Sequence, residues 1–255
     1  ETYGMEFKKL VITRAMIDDG IGPAVDYFEA LQDELTASDG DFEFAVAQHC
    51  EMPGIPGAFG TSDIIFKTPK RSGVVDWKFG VGKAVYADDK EGTPNHQLSF
   101  YARAALHTRP DMFVDEPTWP VDLHIVQPRL RDGPNYSIAS TDVKYLRAFR
   151  DLLVRAVAEA KSERAKVAKG DWCTFCKAKT ICPEWTAPVL DLSKMRKLAP
   201  SEFDAELVGL ILDLAYGAEE WAREALALGH RYMEEGNAVS GYKLVAKRPT
   251  EKYVD

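Results

Sequence analysis

Two short apolar stretches in the first third of the chain each carry an acidic residue at a position that a buried strand normally fills with an apolar one. In the first stretch, residues 62–67, Asp63 is followed directly by two isoleucines and a phenylalanine, residue types that favour a strand. In the second stretch, residues 73–79, a period of two places Asp76 and Lys78 on the same face. The pattern therefore predicts two strands, with Asp63 near the start of one and Asp76 inside the other.

The segment between these strands carries a turn signal. Residues 67–72 include a proline and lead into a glycine, which predicts an antiparallel hairpin that brings Asp63 beside Asp76. Two adjacent carboxylates need a neutralising cation, and a hard divalent ion such as Mg²⁺ takes oxygen ligands of this kind. Lys78, on the same face, can stabilise negative charge or position a water. These groups suit phosphodiester hydrolysis; the alternative interpretation is a solvated hairpin whose aspartate and lysine form a weak surface pair.

The remaining pattern predicts helices that alternate with strands, which is typical of an α/β fold with a mixed central β-sheet flanked by helices. Helices are predicted at residues 5–16, 21–35, 95–107 and 142–161, and further strands at residues 41–50, 121–127 and 136–139. In the third of these helices, Gln97 and Tyr101 lie one turn apart on the same face.

The composition shifts in the last third of the chain. Here the pattern predicts a linker at residues 188–200, a helical pair at residues 202–235 with Ser201 as its N-cap, and a strand-like end at residues 241–245. We therefore predict a core domain at residues 1–187 and a helical C-terminal extension at residues 188–255.

The overall composition limits the class of protein. The chain has 255 residues, 45% of them hydrophobic and 28% charged, with a formal net charge of −8. No apolar run approaches the roughly 18 residues of a membrane span, and no signal peptide is visible, so we expect a cytoplasmic protein with no membrane partner. The acidic balance argues against a non-specific nucleic-acid coat but allows a metal-dependent enzyme with local basic rims. The candidate rims are Lys67, Lys70, Arg71, Lys78, Lys83, Lys161, Arg164, Lys166 and Lys169.

Three of the four cysteines form a compact motif. Cys173, Cys176 and Cys182 have the spacing C-x2-C-x5-C, and Cys50 is the other cysteine. In a cytosolic chain such spacing indicates metal binding rather than disulfides. Zinc would require a fourth thiolate or histidine at a short spacing, and none follows the motif.

Several stretches together resemble known nucleases. The sequence GTSD at residues 60–63, DWK at residues 76–78, and the helix with Gln97 and Tyr101 resemble the PD-(D/E)XK nuclease superfamily, and within it the RecB-type exonuclease branch. The stretches DWKFGVGKAV, NHQLSFYA, HIVQPRL and WCTFCKAKTIC are similar to an uncharacterised family of phage and prophage proteins allied to these nucleases. The resemblance extends from about Met16 to the end of the chain.

This resemblance implies a restriction-endonuclease-like core and roles for individual residues. Asp63, Asp76 and the backbone carbonyl of Trp77 would bind catalytic Mg²⁺ or Mn²⁺, and Asp63, Asp76 and Lys78 would be catalytic. Gln97 and Tyr101 would contact DNA near the scissile phosphate. A third metal ligand from Glu43, Glu51 or His49 stays open, and the acidic or histidine residue that such enzymes carry on an upstream helix is missing, lies upstream of the chain, or is replaced by Glu6.

The resemblance also implies a 4Fe–4S cluster held by the three clustered cysteines and one upstream cysteine. Cys50 is the candidate for that fourth ligand; otherwise the cluster is incomplete or absent in this chain.

The implied function is that of a phage-encoded, metal-dependent DNA exonuclease acting in a bacterial host. It would act on linear duplex or single-stranded DNA in phage recombination or DNA processing, with a phage single-strand-binding or recombination protein as a further partner. The alternative is a catalytically inactive DNA-binding or assembly protein that keeps the nuclease fold.

Overall fold

The computed structural model describes residues 6–7, 10–81, 83–131, 135–170, 172–173, 176, 178–195 and 205–245. The chain divides into two compact units, residues 1–163 and 164–255. The predicted C-terminal extension lies within the second unit, and the boundary predicted after residue 187 stays a prediction.

The strands of the described chain form a small ribbon and one larger sheet. They are β1 (Glu6–Phe7), β2 (Leu10–Val11), β3 (Glu43–Glu51), β4 (Phe59–Lys67), β5 (Ser72–Trp77), β6 (Pro120–Val126) and β7 (Tyr136–Asp142). The first two pair with each other, and the other five form a sheet in the order β3-β4-β5-β6-β7. The pairs within this sheet are antiparallel except β5 with β6, which are parallel. The prediction of a mixed central sheet is confirmed.

The helices cover this sheet in the first unit and dominate the second unit. They are α1 (Arg14–Met16), α2 (Gly22–Asp39), α3 (His96–Thr108), α4 (Val143–Ala160), α5 (Pro183–Met195) and α6 (Ala205–Glu234), with a π-helical turn at Ile17–Ile21 and 3-10 turns at Pro110–Met112 and Lys179–Ile181. None of the helices in the described part of the chain has both the length and the apolar character that a bilayer crossing requires.

Successive side chains of a strand point to opposite faces of the sheet, and a separate apolar core lies on each face. Ile65 belongs to a buried cluster with Leu98 of α3 and Leu146 of α4. Its neighbour Phe66 points to the other side and clusters with Leu35 of α2. The helices α3 and α4 therefore cover one face of the sheet and α2 covers the other.

The parallel pairing of β5 with β6 needs a crossover connection, and α3 lies in it. Because α3 follows β5 in the chain and packs on the sheet, its first turn can lie near the end of β5. This arrangement positions the candidate site.

The structure corrects four predictions at the two ends of the chain. Residues 5–16 were predicted as one helix, but the described part forms β1 and β2, and α1 begins only after Thr13, whose side chain accepts a hydrogen bond from the Met16 amide. The linker predicted from residue 188 is helical up to Met195.

The other two corrections lie further toward the C-terminus. The predicted helical pair is the single helix α6, because its internal glycines lower helix stability by only about 1 kcal/mol each and do not stop it. Residues 241–245 form a turn and irregular chain rather than a strand. The predicted N-cap Ser201 lies outside the described residues.

Candidate active site

The hairpin of β4 and β5 places the two predicted acids opposite each other. Its register pairs Ile64 with Val75, so the next opposing positions are Asp63 and Asp76. The turn is closed by a hydrogen bond of 2.8 Å from the Thr68 amide to the Arg71 carbonyl. Directly opposed residues have Cβ atoms about 4.5–5.5 Å apart, so the hairpin brings the two carboxylates together.

Asp76 is a buried acid that pairs with the cation of Lys78. The residue is 4% exposed, and its Oδ2 atom lies 2.7 Å from Nζ of Lys78. Burial raises the pKa of Asp76 above its usual range; Lys78 opposes this increase in pKa, and the charge of Asp63 adds to it. The site therefore disfavours the ionised carboxylate unless a further cation is present.

Asp63 is held by the backbone of the neighbouring strand. The Trp77 amide donates a hydrogen bond of 2.8 Å to Oδ2 of Asp63, and the Asp63 residue is only partly buried. This bond fixes one carboxylate oxygen at the end of β5. The backbone carbonyl of Trp77 stays a predicted ligand.

Lys78 connects the hairpin to α3. Its amide donates a hydrogen bond of 2.8 Å to the Val126 carbonyl, and its ammonium donates one of 2.8 Å to Oε1 of Gln97. Nε2 of Gln97 donates in turn to the Tyr101 hydroxyl at 2.9 Å. The result is a continuous polar chain from Asp76 through Lys78 and Gln97 to Tyr101.

The first turn of α3 is fixed by its N-cap. The side-chain oxygen of Asn95 accepts hydrogen bonds from the amides of Gln97 and Leu98, as an asparagine N-cap normally does. Leu98 is fully buried in the core. Capping and burial together hold Gln97 in reach of the lysine.

A close approach between β4 and α3 positions Tyr101. A Cβ atom added to Gly60 would lie 2.6 Å from Cε1 of Tyr101, a distance well below van der Waals contact. The tyrosine ring therefore rests directly on the glycine backbone, and a larger residue at position 60 would displace it.

The donor set of this site fits a hard divalent cation. The buried Oδ2 atom of Asp76 has the ammonium of Lys78 at 2.7 Å as an ion-pair partner and accepts no other hydrogen bond from the described part of the chain. Within the described ranges no three histidine, cysteine, aspartate or glutamate side chains are gathered as a metal-binding group. Two carboxylates are nevertheless enough for Mg²⁺, which usually keeps several waters and binds through one or two carboxylates and substrate phosphates.

The three candidates for a further ligand lie along β3. Glu43 pairs in register with Lys67, and Glu51 pairs with Phe59. Both partners are four positions along β4 from Asp63, so each glutamate lies about 13 Å from Asp63 along the strand direction. The His49 ring packs against the Phe59 ring, with centroids 4.6 Å apart. The structure does not bring these side chains to the two aspartates through any contact among the described residues.

Comparison with known proteins assigns the chain to a family. A family described as "Protein of unknown function (DUF2800)" matches residues 5–255. The chain belongs to the DUF2800 family. The solved structure titled "Crystal structure of SSO0001" is similar over 63% of this chain and 68% of that chain, with 14% sequence identity and a TM-score of 0.28. That likeness is too weak to indicate a shared fold or function.

The cysteines of this DUF2800 protein are free thiols in both units. Cys50 is buried in the apolar core beside β4, and burial raises the pKa of its thiol. Cys173 is buried, Cys182 half-buried and Cys176 exposed, and in the described ranges they do not form a metal-binding group. A 4Fe–4S cluster requires four ligands, and the cluster stays a prediction from the resemblance.

Part of the predicted basic rim of the DUF2800 protein serves the fold instead. The Arg71 guanidinium forms ion pairs with Asp39 at 2.8 Å, Asp122 at 3.0 Å and Glu34 at 2.6 Å. Nζ of Lys67 donates to the Asp111 carbonyl at 2.5 Å. These cations are already matched by intramolecular acceptors.

A second polar cluster, which is absent from the predicted site, lies on the α2 face of the sheet. His124 is 2% exposed, and its Nδ1 atom lies 2.7 Å from the Tyr27 hydroxyl. Burial lowers the pKa of His124 to about 3. Asp122 and His124 lie inside the apolar stretch of β6, so the signal that identified Asp76, a charged residue within a buried strand, could have identified them.

Proposed function

We propose that this chain is a metal-dependent DNA exonuclease of the PD-(D/E)XK superfamily, RecB-type branch, which hydrolyses phosphodiester bonds. The observation that supports this most is the joining of the predicted residues into one site. Asp63 and Asp76 oppose each other in the hairpin, and Lys78 forms an ion pair with Asp76. Hydrogen bonds join Lys78 to Gln97 and Gln97 to Tyr101. These side chains come from three different elements or their ends, so their meeting is a property of the fold.

Asp63 and Asp76 would hold Mg²⁺ or Mn²⁺. A bound divalent ion supplies Lewis-acid stabilisation of the phosphoryl oxygens and lowers the pKa of a bound water. Asp76 is buried beside the second carboxylate, and its pKa is raised despite the nearby Lys78 ammonium, so the ionised carboxylate gains stability from a further cation. Asp63 keeps its orientation through the Trp77 amide.

Lys78 would act on the phosphate. Its ammonium can donate a hydrogen bond to a phosphoryl oxygen and stabilise the negative charge that develops as water adds to phosphorus. The bond between phosphorus and the leaving sugar oxygen then breaks, and that oxygen takes up the proton that the attacking water gives up. Because Oε1 of Gln97 already holds the ammonium at 2.8 Å, little rearrangement is needed.

The cellular setting is proposed from the resemblance. The chain would act in phage recombination or DNA processing inside a bacterial cytoplasm, together with a single-strand-binding or recombination protein. Cys173, Cys176 and Cys182, with Cys50 as the candidate fourth ligand, would hold a 4Fe–4S cluster with a structural role.

One observation favours the alternative of an inactive DNA-binding or assembly protein. The described residues contain no group of three acidic or other metal-binding side chains, and the ammonium of Lys78 already neutralises Asp76. Such a protein would bind DNA without needing Mg²⁺ or Asp76.

Degradation of end-labelled linear DNA separates the two functions. Linear duplex, linear single-stranded and circular DNA are each incubated with the wild-type protein and Mg²⁺ or Mn²⁺. The exonuclease degrades linear DNA, spares the circle, and requires the metal. Asp76→Asn abolishes the cleavage, whereas Asp26→Asn, which changes an exposed acid on α2, retains it.

Two results would contradict the proposal. Cleavage by Asp76→Asn at the wild-type rate would remove Asp76 from the reaction. An absence of cleavage by wild-type protein with either metal, combined with metal-independent DNA binding, would establish the binding protein instead.

A further inference from the structure

A cavity of about 560 Å³ adjoins the candidate active site. It lies between α3, α4 and the start of β4, within the first unit. Six polar or aromatic residues of its wall matter here: Phe59, His96, Gln97, Phe100, Tyr101 and Phe149. Gln97 and Tyr101 also belong to the polar chain that ends at Asp76, so the cavity and the candidate site share a wall.

Rings make up about half of the cavity wall, and Leu152, Leu153 and Ala156 add aliphatic surface from α4. Phe59, which lines the cavity, is 61% exposed, although a phenylalanine is usually buried. The rings of His96 and Phe149 lie 5.8 Å apart, tilted by 35°, and Phe100 meets Tyr101 edge to face. The wall therefore presents ring faces and edges to anything that enters.

Polar groups are available at the wall that faces the candidate site. The Tyr101 hydroxyl accepts a hydrogen bond from Gln97, which leaves its own proton free to donate. An apolar cavity with a few placed polar groups is the usual form of a small-molecule or base-binding site.

We propose that this cavity binds one unpaired nucleobase of a DNA strand, next to the phosphate that is cut. The inference rests on the proposed function and specifies its substrate: a single strand or a frayed end. Aromatic side chains bind bases by stacking without sequence preference. A base inside a duplex is stacked on both faces and paired along one edge, so only an unpaired base can enter the cavity.

The position of the cavity favours a nucleobase over an apolar peptide as its ligand. A base is joined to a phosphate by one sugar, so a base stacked beside Tyr101 places its phosphate close to Lys78, which is linked to Tyr101 through Gln97.

The test uses a short single-stranded oligonucleotide and a matched set in which one base at a time is missing. Binding is measured by fluorescence anisotropy with Ca²⁺ in place of Mg²⁺, so that the readout is independent of cleavage. One base near the end contributes stacking, and its removal weakens binding by about 5- to 150-fold. Removal of bases further along the strand changes affinity much less.

Variants of Phe59 connect this loss to the cavity. Phe59→Ala binds the intact strand as weakly as wild-type protein binds the strand lacking that base, and the two losses do not add. Phe59→Trp restores the difference in affinity between the intact strand and the strand that lacks that base. Tyr136→Ala, which removes another exposed aromatic residue on β7, serves as control and leaves the difference unchanged.

The outcomes separate this inference from the proposed function. Equal affinity of wild-type protein for the intact strand and every member of the set overturns the cavity's role, even if DNA is cleaved. A position-specific loss that depends on Phe59, in a protein that cleaves no DNA with Mg²⁺ or Mn²⁺, supports the base-binding cavity and overturns the exonuclease. An absence of any DNA binding overturns both.

Discussion

A single added methyl group at Gly60 tests how the site is held together. In Gly60→Ala the new Cβ atom would lie 2.6 Å from Cε1 and 3.1 Å from Cδ1 of Tyr101. Carbon atoms in contact are normally about 3.5–4.0 Å apart, so the tyrosine ring has to move by about 1 Å. Its hydroxyl accepts the Gln97 hydrogen bond at 2.9 Å, and a shift of that size breaks the bond.

Both stability and activity respond to this shift. Overpacking of this kind lowers the free energy of unfolding by about 1–3 kcal/mol. A misplacement of about 1 Å in a substrate-positioning group lowers kcat/KM by about 100-fold. Urea denaturation measures the first effect, and cleavage of end-labelled single-stranded DNA with Mg²⁺ measures the second.

Two further variants test the contact between Gly60 and Tyr101. Gly209→Ala adds a methyl group that meets no atom within 4 Å, inside α6, and raises helix stability by about 1 kcal/mol without changing cleavage. Tyr101→Ala removes the main clashing ring, so Gly60→Ala costs less stability in that background, where Cε1 of Phe100 at 3.3 Å is the remaining close contact. Equal destabilisation by Gly60→Ala with and without the tyrosine ring would refute the contact, and so would wild-type activity of the single variant.

Three other predictions concern burial in the first unit. Because burial raises the pKa of Asp76, the metal-free folded state binds the proton of this carboxyl more tightly than the unfolded state. The free energy of unfolding therefore falls as pH rises through the Asp76 titration. In urea denaturation, Asp76→Asn removes this part of the pH dependence. Because the pKa of His124 is lowered to about 3, stability falls by at most about 1.4 kcal/mol per pH unit as pH decreases from about 6.5 toward that value; His124→Asn flattens this dependence, and an unchanged slope would contradict it. Phe66→Ala, in the core, lowers the free energy of unfolding by about 3–5 kcal/mol, whereas Val46→Ala, at 61% exposure, changes it by less than about 0.5 kcal/mol.

The sequence predicted the sheet well where short apolar runs end in clear turn signals. Strands β4 and β5 were found because a proline and a glycine separate two runs of β-branched and aromatic residues. It predicted the N-terminus and the C-terminal helices less well. At residues 5–16 apolar spacing suits a helix, but a local strand pair forms, and pairing between segments is not visible in local periodicity.

The residues of the candidate site could be predicted from the sequence, but the hydrogen bonds and contacts between them could not. Asp63, Asp76 and Lys78 follow from strand alternation, and Gln97 with Tyr101 follows from helical spacing. The hydrogen bond from Lys78 to Gln97 depends on how the crossover returns α3 to the sheet, which no local pattern contains. The close approach of Tyr101 to Gly60 depends on the same packing.

The parallel pairing of β5 with β6 has a consequence for the order in which the molecule folds. Strands β3, β4 and β5 follow one another with short turns, and so do β6 and β7, but residues 78–119 separate β5 from its parallel neighbour. Contacts between distant segments form slowly, because the intervening chain must first be ordered. We expect the two aspartates to meet early, in the local hairpin, and Gln97 and Tyr101 to join Lys78 only when the crossover closes. A chain still emerging from the ribosome would therefore carry the paired acids before the rest of the site exists.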